Sequence, residues 1–256
     1  MYYVYFCIDT VTKFWNKIQN SKIKNYFGYQ ELLKLAKQDL IKDDTWIILG
    51  AGPSLELFDD DEEFKKLLEK YPVVSIKQAG LKHPEYSNIQ VFNEVRYDDE
   101  YSKIGNYRMS VSQFMENSHT HLHFPIKSYK VKNSLFRNND YEDNELKNSF
   151  RRPWGVGIFF ELAIFIPVLF KAKNIILCGI DMNSTGKFHF YDNKEEEDSS
   201  SYKVDGFEFY YTKGTVPYLE YWLHQQGINI YNLSPLSEMP FKKYNDMKSL
   251  MNDIEL

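Results

Sequence analysis

Residues 50–54 read Gly-Ala-Gly-Pro-Ser and directly follow an apolar run, Trp46 to Leu49. Glycines let a backbone approach a ligand closely, and amides left free at a turn or helix start make a nest for an anion. Gly50, Ala51, Gly52, Pro53 and Ser54 are therefore the candidate phosphate turn. The pattern lacks the Lys-Ser/Thr ending of a P-loop and the full dinucleotide fingerprint. The competing reading is a tight strand-to-helix turn that binds nothing. Lys77 and Gln78 follow a second apolar run, Val73 to Ile76, where Lys77 either adds a positive charge over that turn or stands solvated at the rim. Asn93 and Glu94 follow a third run. Gly179, Asp181, Asn183 and His189 follow a fourth, Asn174 to Leu177. A histidine among Phe188, Phe190 and Tyr191 can titrate near neutrality and act as general acid or base. It can equally be a hydrogen-bonded ring in an aromatic cluster. Arg151 and Arg152 are able to clamp a phosphate or a carboxylate, or are a solvated pair. His119, His121 and His123 alternate, as metal ligands on one strand face would. No second ligand set accompanies them, so the spacing alone does not make a metal centre, but one of the three could act as a base from the sheet's rim.

These residues need elements to hold them, and the chain supplies strands and helices in turn. The apolar runs Trp46–Leu49, Val73–Ile76, Ile89–Phe92, Asn174–Leu177 and Ile228–Tyr231 predict strands buried on both faces. Tyr107–Phe114 and His121–Ile126 are further strand candidates. Helices are expected over Tyr29–Ile41, from Asp59 to Pro72, over Val156–Phe170, over Pro217–Gln226 with Gly227 as its cap, and over Tyr244–Asn252. The alternation predicts an α/β fold, a Rossmann-like parallel sheet with helices on both faces. In such sheets ligands bind at the carboxyl ends of the strands, where the residues above fall. The chain reads as one domain over 1–256, with residues 1–44 as a preamble and with 94–151 and 182–214 as insertions or a lid. Within those insertions Asn133–Phe150 and Glu195–Ser201 are polar and lack apolar periodicity.

Composition narrows the function classes. The 256 residues are 43% hydrophobic, 17% aromatic and 26% charged, which excludes a wholly disordered chain, a collagen-like repeat and a coiled-coil rod. A net charge of -5 argues against a general nucleic-acid binder. The 2 cysteines, Cys7 and Cys178, make no disulfide framework and read as small buried hydrophobes in a reducing compartment. With no secretory signal and no membrane span evident, a cytoplasmic location is expected.

The segment Trp46-Ile-Ile-Leu-Gly-Ala-Gly-Pro-Ser-Leu55 resembles the opening of the bacterial sialyltransferases of glycosyltransferase family 42. Lys173-Asn-Ile-Ile-Leu-Cys-Gly-Ile-Asp181 resembles their second landmark, and Tyr218–Tyr221 and Ile228–Pro235 resemble their late helix and strand in the same order. The resemblance covers about residues 45–95 and 152–240. It implies a nucleotide-binding α/β domain with a lid, CMP-activated sialic acid as donor, no metal and no other cofactor. It implies transfer with inversion, a histidine that deprotonates the acceptor, and two tyrosines that stabilise the departing phosphate. Carried over residue by residue, Asn93 keeps a donor-contacting asparagine, while Ala51 and Lys77 stand where the family has two more. The leaving-group tyrosines map to Asn183 and His189. The base maps near Tyr210, and no histidine lies between 190 and 223. Trp154-Gly-Val-Gly157 is similar to a looser group sharing the Gly-Pro-Ser-Leu domain, which includes flagellin-glycosylation accessory proteins and an archaeal pterin pyrophosphokinase. This adds Trp154 and Gly155 to the donor contacts.

The expectation is thus a metal-independent glycosyltransferase, with a nucleotide-sugar donor and a glycan acceptor as partners and no nucleic acid. His189, Asn183 and Tyr210 are its candidate catalytic residues. Two alternatives remain open. One is a Mg²⁺-dependent diphosphate transferase with Asp181 and Glu94 as ligands; the other is a nucleotide-binding relative without catalysis. The resemblance also implies a homo-oligomer and loose membrane association, although Met247–Leu256 is not basic enough to suggest an anchor.

Overall fold

A computed structural model describes residues 44–92, 98–101, 103–104, 107–112, 122–125, 158–181, 189–191, 216–237 and 239–254. The strands are β1 (Thr45–Leu49), β2 (Val73–Ile76), β3 (Ile89–Phe92), β4 (Tyr107–Ser112), β5 (Leu122–Pro125), β6 (Asn174–Cys178), β7 (Asn229–Asn232) and β8 (Lys242–Lys243). They form an eight-stranded sheet in the order β5-β4-β3-β2-β1-β6-β7-β8. Every pairing is parallel. The α/β, Rossmann-like class read from the alternation is the class observed. The order reverses between β1 and β6, the topological switch point at which such sheets bind ligands.

Parallel strands are buried on both faces, so alternate residues feed two cores. Trp46 and Ile48 join Val74, Ile76, Val91, Ile175 and Leu177 on one face. Ile47 and Leu49 join Val73, Ile176 and Cys178 on the other. The first face is covered by the stretch from Ile158 to Phe170 and by α5 (Val216–Gln225), through Leu219 and Leu223. The second is covered by a 3₁₀ helix, Pro53–Phe58, by α1 (Glu62–Lys70) and by α6 (Met247–Ile254). In α1 the apolar stripe Phe64, Leu67 and Leu68 is buried, each worth about 1.5–3 kcal/mol of transfer free energy. The Asp61 carboxylate caps this helix by accepting from the amides of Glu63 at 2.8 Å and Phe64 at 3.2 Å. Two short helices, α2 (Gln78–Lys82) and α3 (Asp98–Tyr101), follow β2 and β3.

Several boundaries differ from the sequence-based expectation. The helix expected from Asp59 begins at Glu62, because Pro53 and Ser54 start a separate 3₁₀ turn. The helix expected over Val156–Phe170 is interrupted: a π-helical turn, Phe159–Ala163, precedes α4 (Phe165–Leu169). The Ile164 amide reaches back to Phe159 O at 3.1 Å, and this extra residue puts Pro167 in the first turn of α4, where no N–H is needed. The helix expected from Tyr244 begins at Met247, since Tyr244 is held by β7 through its amide on Asn232 O at 2.9 Å. The expected helix over residues 29–41 and the polar stretches 133–150 and 195–201 lie outside the described residues. Among the described residues no helix is long and apolar enough to cross a membrane.

Candidate functional site

β1 and β6 end side by side, Leu49 pairing with Cys178. Beyond that pair the two turns are laced together. The Gly50 amide donates to Cys178 O at 2.8 Å and the Gly52 amide to Gly179 O at 2.8 Å. A Cβ on Gly52 would lie 2.5 Å from Asp181 Oδ2 and 2.6 Å from Gly179 O. Glycine is required there so that one turn can lie against the other. Gly179, at φ +67°, also uses the left-handed region open to glycine.

Asp181 completes the lacing. Its Oδ2 accepts from the Ser54 amide at 2.8 Å and its Oδ1 from the Ser54 hydroxyl at 2.5 Å. Both residues are buried. Burial raises the Asp181 pKa above the ordinary carboxylate range, partly offset by hydrogen bonds from Ser54 and Ser234. Asp181 is therefore a cross-brace beneath the turn. Each of its oxygens accepts one hydrogen bond from Ser54, and Glu94, its partner in the diphosphate-transfer alternative, lies outside the described residues. Among the described residues no cluster of three or more His, Cys, Asp or Glu side chains is placed to hold a metal ion.

Four amides of the turn are engaged within the chain. The amides of Gly50, Gly52, Ser54 and Leu55 donate to Cys178 O, Gly179 O, Asp181 and Gly52 O, and Pro53 has none. The glycines serve chain-to-chain approach, a role invisible in sequence because the partner strand lies far along the chain.

β2 ends beside this turn. Leu49 pairs with Ser75, so Ala51 and Lys77 leave the sheet at the same level. Lys77 is half-buried and Gln78 opens α2. The Gln78 Oε1 atom is buried without a hydrogen-bond partner among the described residues. The segment 189–191 comes to the same place. The Phe190 amide donates to Ala51 O at 2.9 Å, and the Lys82 ammonium lies 4.6 Å from the centre of the Phe190 ring while pairing with Asp59 at 2.8 Å. His189 stacks on Tyr191 with ring centres 4.8 Å apart. Of the two readings of His189, a general acid or base and a ring in an aromatic cluster, the described geometry shows the aromatic neighbours.

Gly50, Ala51, Gly52, Pro53, Ser54, Lys77, Gln78, Gly179, Asp181 and His189 thus converge at the carboxyl ends of the central strands β1, β2 and β6. Asn93, Glu94, Arg151, Arg152, Trp154, Gly155, Asn183 and Tyr210 lie outside the described residues, as do Cys7, His119 and His121. His123 falls in β5, at the sheet's far edge, in register with Ser110 of β4. Cys178 is a free, buried thiol whose pKa burial pushes far up, so it is no nucleophile. The sequence missed the part played by Gln90 and Ser75 behind Lys77, whose only signal was polarity inside two otherwise apolar strands. A groove of about 440 Å³ between α1 and α6, lined by Leu67, Lys70, Met247 and Met251, lies on the flank of the fold away from these residues.

No family model matches the sequence, and no curated protein matches it. Solved structures similar to the fold include the monofunctional α-2,3-sialyltransferase Cst-I from Campylobacter jejuni, at 15% identity and a TM-score of 0.43 over 79% of this chain and 81% of that one. They include the sialyltransferase CstII from Campylobacter jejuni in complex with a substrate analogue, cytidine-5'-monophosphate, at 17% identity and a TM-score of 0.42 over 75% of this chain and 81% of that one. The MAf glycosyltransferase from Magnetospirillum magneticum AMB-1 is similar at 12% identity and a TM-score of 0.46, over 91% of this chain and 42% of that one. The chain thus matches less than half the length of the last protein.

Proposed function

We propose that the protein is a glycosyltransferase that moves a sialic or Kdo-type acid from a CMP-activated donor to a glycan acceptor of a surface polysaccharide or lipooligosaccharide. The observation that carries this reading is the seating of His189–Tyr191 on the carbonyl of Ala51, level with Lys77 at the end of β2. Transfer to a hydroxyl needs a base for the acceptor proton and positive charge where the phosphate departs. His189 supplies the base and Lys77 the charge. The acceptor oxygen forms the new bond to the sugar, its proton passes to the imidazole, and the bond to the phosphate breaks with its electron pair leaving on CMP. Ser54 and Asp181 hold the turn beneath the donor. Gln78 accepts from a donor N–H or O–H. Asn93, Trp154 and Gly155 as donor contacts, and Asn183 and Tyr210 near the reacting centre, are assigned by the family resemblance. So are metal independence, a homo-oligomeric state and peripheral membrane contact.

The test is thermal stabilisation by CMP, UDP, GDP and ATP, each with and without Mg²⁺, since a ligand that binds only the folded state raises Tm. Selective, metal-free stabilisation by CMP is expected. His189→Ala should then lower transfer by roughly 10²–10⁴-fold while leaving CMP stabilisation in place. Stabilisation by ATP alone, and only with Mg²⁺, would replace this reading with diphosphate transfer.

A further inference from the structure

Lys77 has φ 49° and ψ -123°, a conformation that suits glycine and strains any side-chain-bearing residue. Such strain persists only where the surroundings over-determine it. Here three hydrogen bonds do so. The Lys77 amide donates to Val91 O at 3.0 Å, and its carbonyl accepts from the Gly80 amide at 3.1 Å and from Gln90 Nε2 at 2.8 Å. Behind them lies a buried polar chain. Gln90 Oε1 accepts from the Ser75 hydroxyl at 2.5 Å, and Ser75 in turn meets Ser87. A Cβ at position 80 would stand 2.7 Å from Ser75 Oγ, so Gly80 lets α2 settle onto this chain. Ser75 and Gln90 lie in β2 and β3 and Ser87 just before β3, and buried polar side chains add nothing to apolar packing. These three lead to the backbone of a single residue at the carboxyl end of β2. A strand, a strained residue and a helix in succession is the arrangement that lifts the nucleophile of α/β-hydrolases above their sheet.

Two further observations give the elbow a ligand. The neighbouring glycine turn has spent the amides of Gly50, Gly52, Ser54 and Leu55 internally, so it offers a phosphate few amides and a nearby charge gains in weight. Lys77 leaves the sheet level with Ala51 of that turn. Next to it, Gln78 Oε1 is a buried acceptor with no partner among the described residues, placed for a ligand N–H or O–H.

We infer that Lys77 is the phosphate-binding cation of this site, replacing the amide nest that a Gly-rich turn usually provides, and that Gln90 is the positioning residue that holds it in its strained conformation. The inference deepens the proposed function and rests on it for the identity of the nucleotide. The substrate class it names by itself is a phosphate ester or diphosphate.

The experiment measures binding of pyrophosphate and of CMP to the full chain by calorimetry at low salt, with Tm recorded for each variant. Lys77→Gly and Lys77→Ala should each weaken pyrophosphate binding by about tenfold or more, the value of a charge-assisted hydrogen bond. Lys77→Gly should also keep or raise Tm, by up to about 2–4 °C, because it relieves the strain, whereas Lys77→Ala leaves the strain in place. Gln90→Met should weaken pyrophosphate binding in the wild-type background and have no effect on it in the Lys77→Gly background, a coupling that general loss of packing would not produce. A lower Tm for Lys77→Gly would overturn the strained-elbow reading. Unchanged pyrophosphate affinity in both Lys77 variants, or no pyrophosphate binding by the wild type, would overturn Lys77 as the cation. Pyrophosphate binding that depends on Lys77, with no response to CMP, would uphold this inference and remove the CMP-sugar reading. Equal CMP affinity in wild type and Lys77→Ala would do the reverse.

Discussion

At the scale of single residues, the clearest electrostatic consequence falls on His83. It is buried against Phe64 and Tyr86, with ring centres 5.9 Å and 6.4 Å away, and its Nε2 has no hydrogen-bond partner among the described residues. Burial pushes its pKa below 6.5; Asp59 and Glu85 pull the other way, while Lys82 and Lys65 add to the lowering. The unfolded chain therefore takes up a proton before the folded one does. His83 contributes its full stability above about pH 6.5 and loses it as pH falls toward the folded-state pKa. Urea unfolding between pH 7 and pH 5 should show this fall, and His83→Phe should flatten it. The same kind of reading locates the limits of the sequence at the site. The aromatic setting of His189 was legible because Phe190 and Tyr191 follow it directly in the chain. The purpose of Gly50 and Gly52 was not, because what they approach is another turn of the same chain. Nothing local to Gly-Ala-Gly-Pro-Ser distinguishes a neighbour made of protein from one made of phosphate.

At the scale of elements, strands were readable wherever both faces are buried, since a continuous apolar run bounded by turn residues has few other uses in a chain of this length. β8 escaped because an edge strand of two exposed lysines carries no such signal. The π-helical turn before α4 escaped for a different reason: one extra residue shifts the helical face by about 100°, which a short, uniformly apolar segment does not display. Helix ends separate in the same way. Gly227 was legible as the cap of α5, and it stands at φ +74° with its amide on His224 O at 2.9 Å. The corresponding position after α4 is Lys171, at φ +57°, with the Ala172 amide on Pro167 O at 3.0 Å. This is a Schellman ending whose left-handed residue carries a side chain. Lys171→Gly should therefore stabilise the fold by about 0.5–1 kcal/mol, and Gly227→Ala should destabilise it by about 1–2 kcal/mol. Chemical denaturation of the two variants against wild type would show shifts of opposite sign.

At the scale of the whole molecule, the strand order could not be read from the alternation of elements. Helix–strand repetition specifies a parallel sheet but not on which side of β1 the later strands return. Besides the pairing of β1 with β6, a side-chain tie between the two halves of the sheet runs from Ser54 to Asp181, across 127 residues of chain. Its strength has two opposed parts. The carboxylate satisfies two buried donors, yet its raised pKa shows that burial disfavours the charge. With the folded pKa above the unfolded one, the ionisation of Asp181 contributes stability that is full below pH 3.8 and is lost as pH rises through the folded value. Asp181→Ala should cost about 1–3 kcal/mol at pH 7 by stranding the Ser54 amide and hydroxyl. Asp181→Asn, which keeps an acceptor and removes the charge, should hold or gain stability at that pH. Equal losses in the two variants would show that the charge, and not the acceptor, braces the turn.

The interlocked turns of β1 and β6 also divide the molecule into a part that can vary and a part that cannot. A methyl group at position 52 would meet its neighbours at 2.5–2.6 Å, so drift at that position is closed whatever the substrate. At the end of β2 the bonds to Val91, Gly80 and Gln90 are made by the backbone of Lys77, so a change of side chain there leaves them in place. Proteins built on this plan are therefore expected to share the glycine turn regardless of what they bind. Divergence of substrate among them would be recorded at position 77 and its neighbours, which makes that position the more informative one when two such sequences are set side by side.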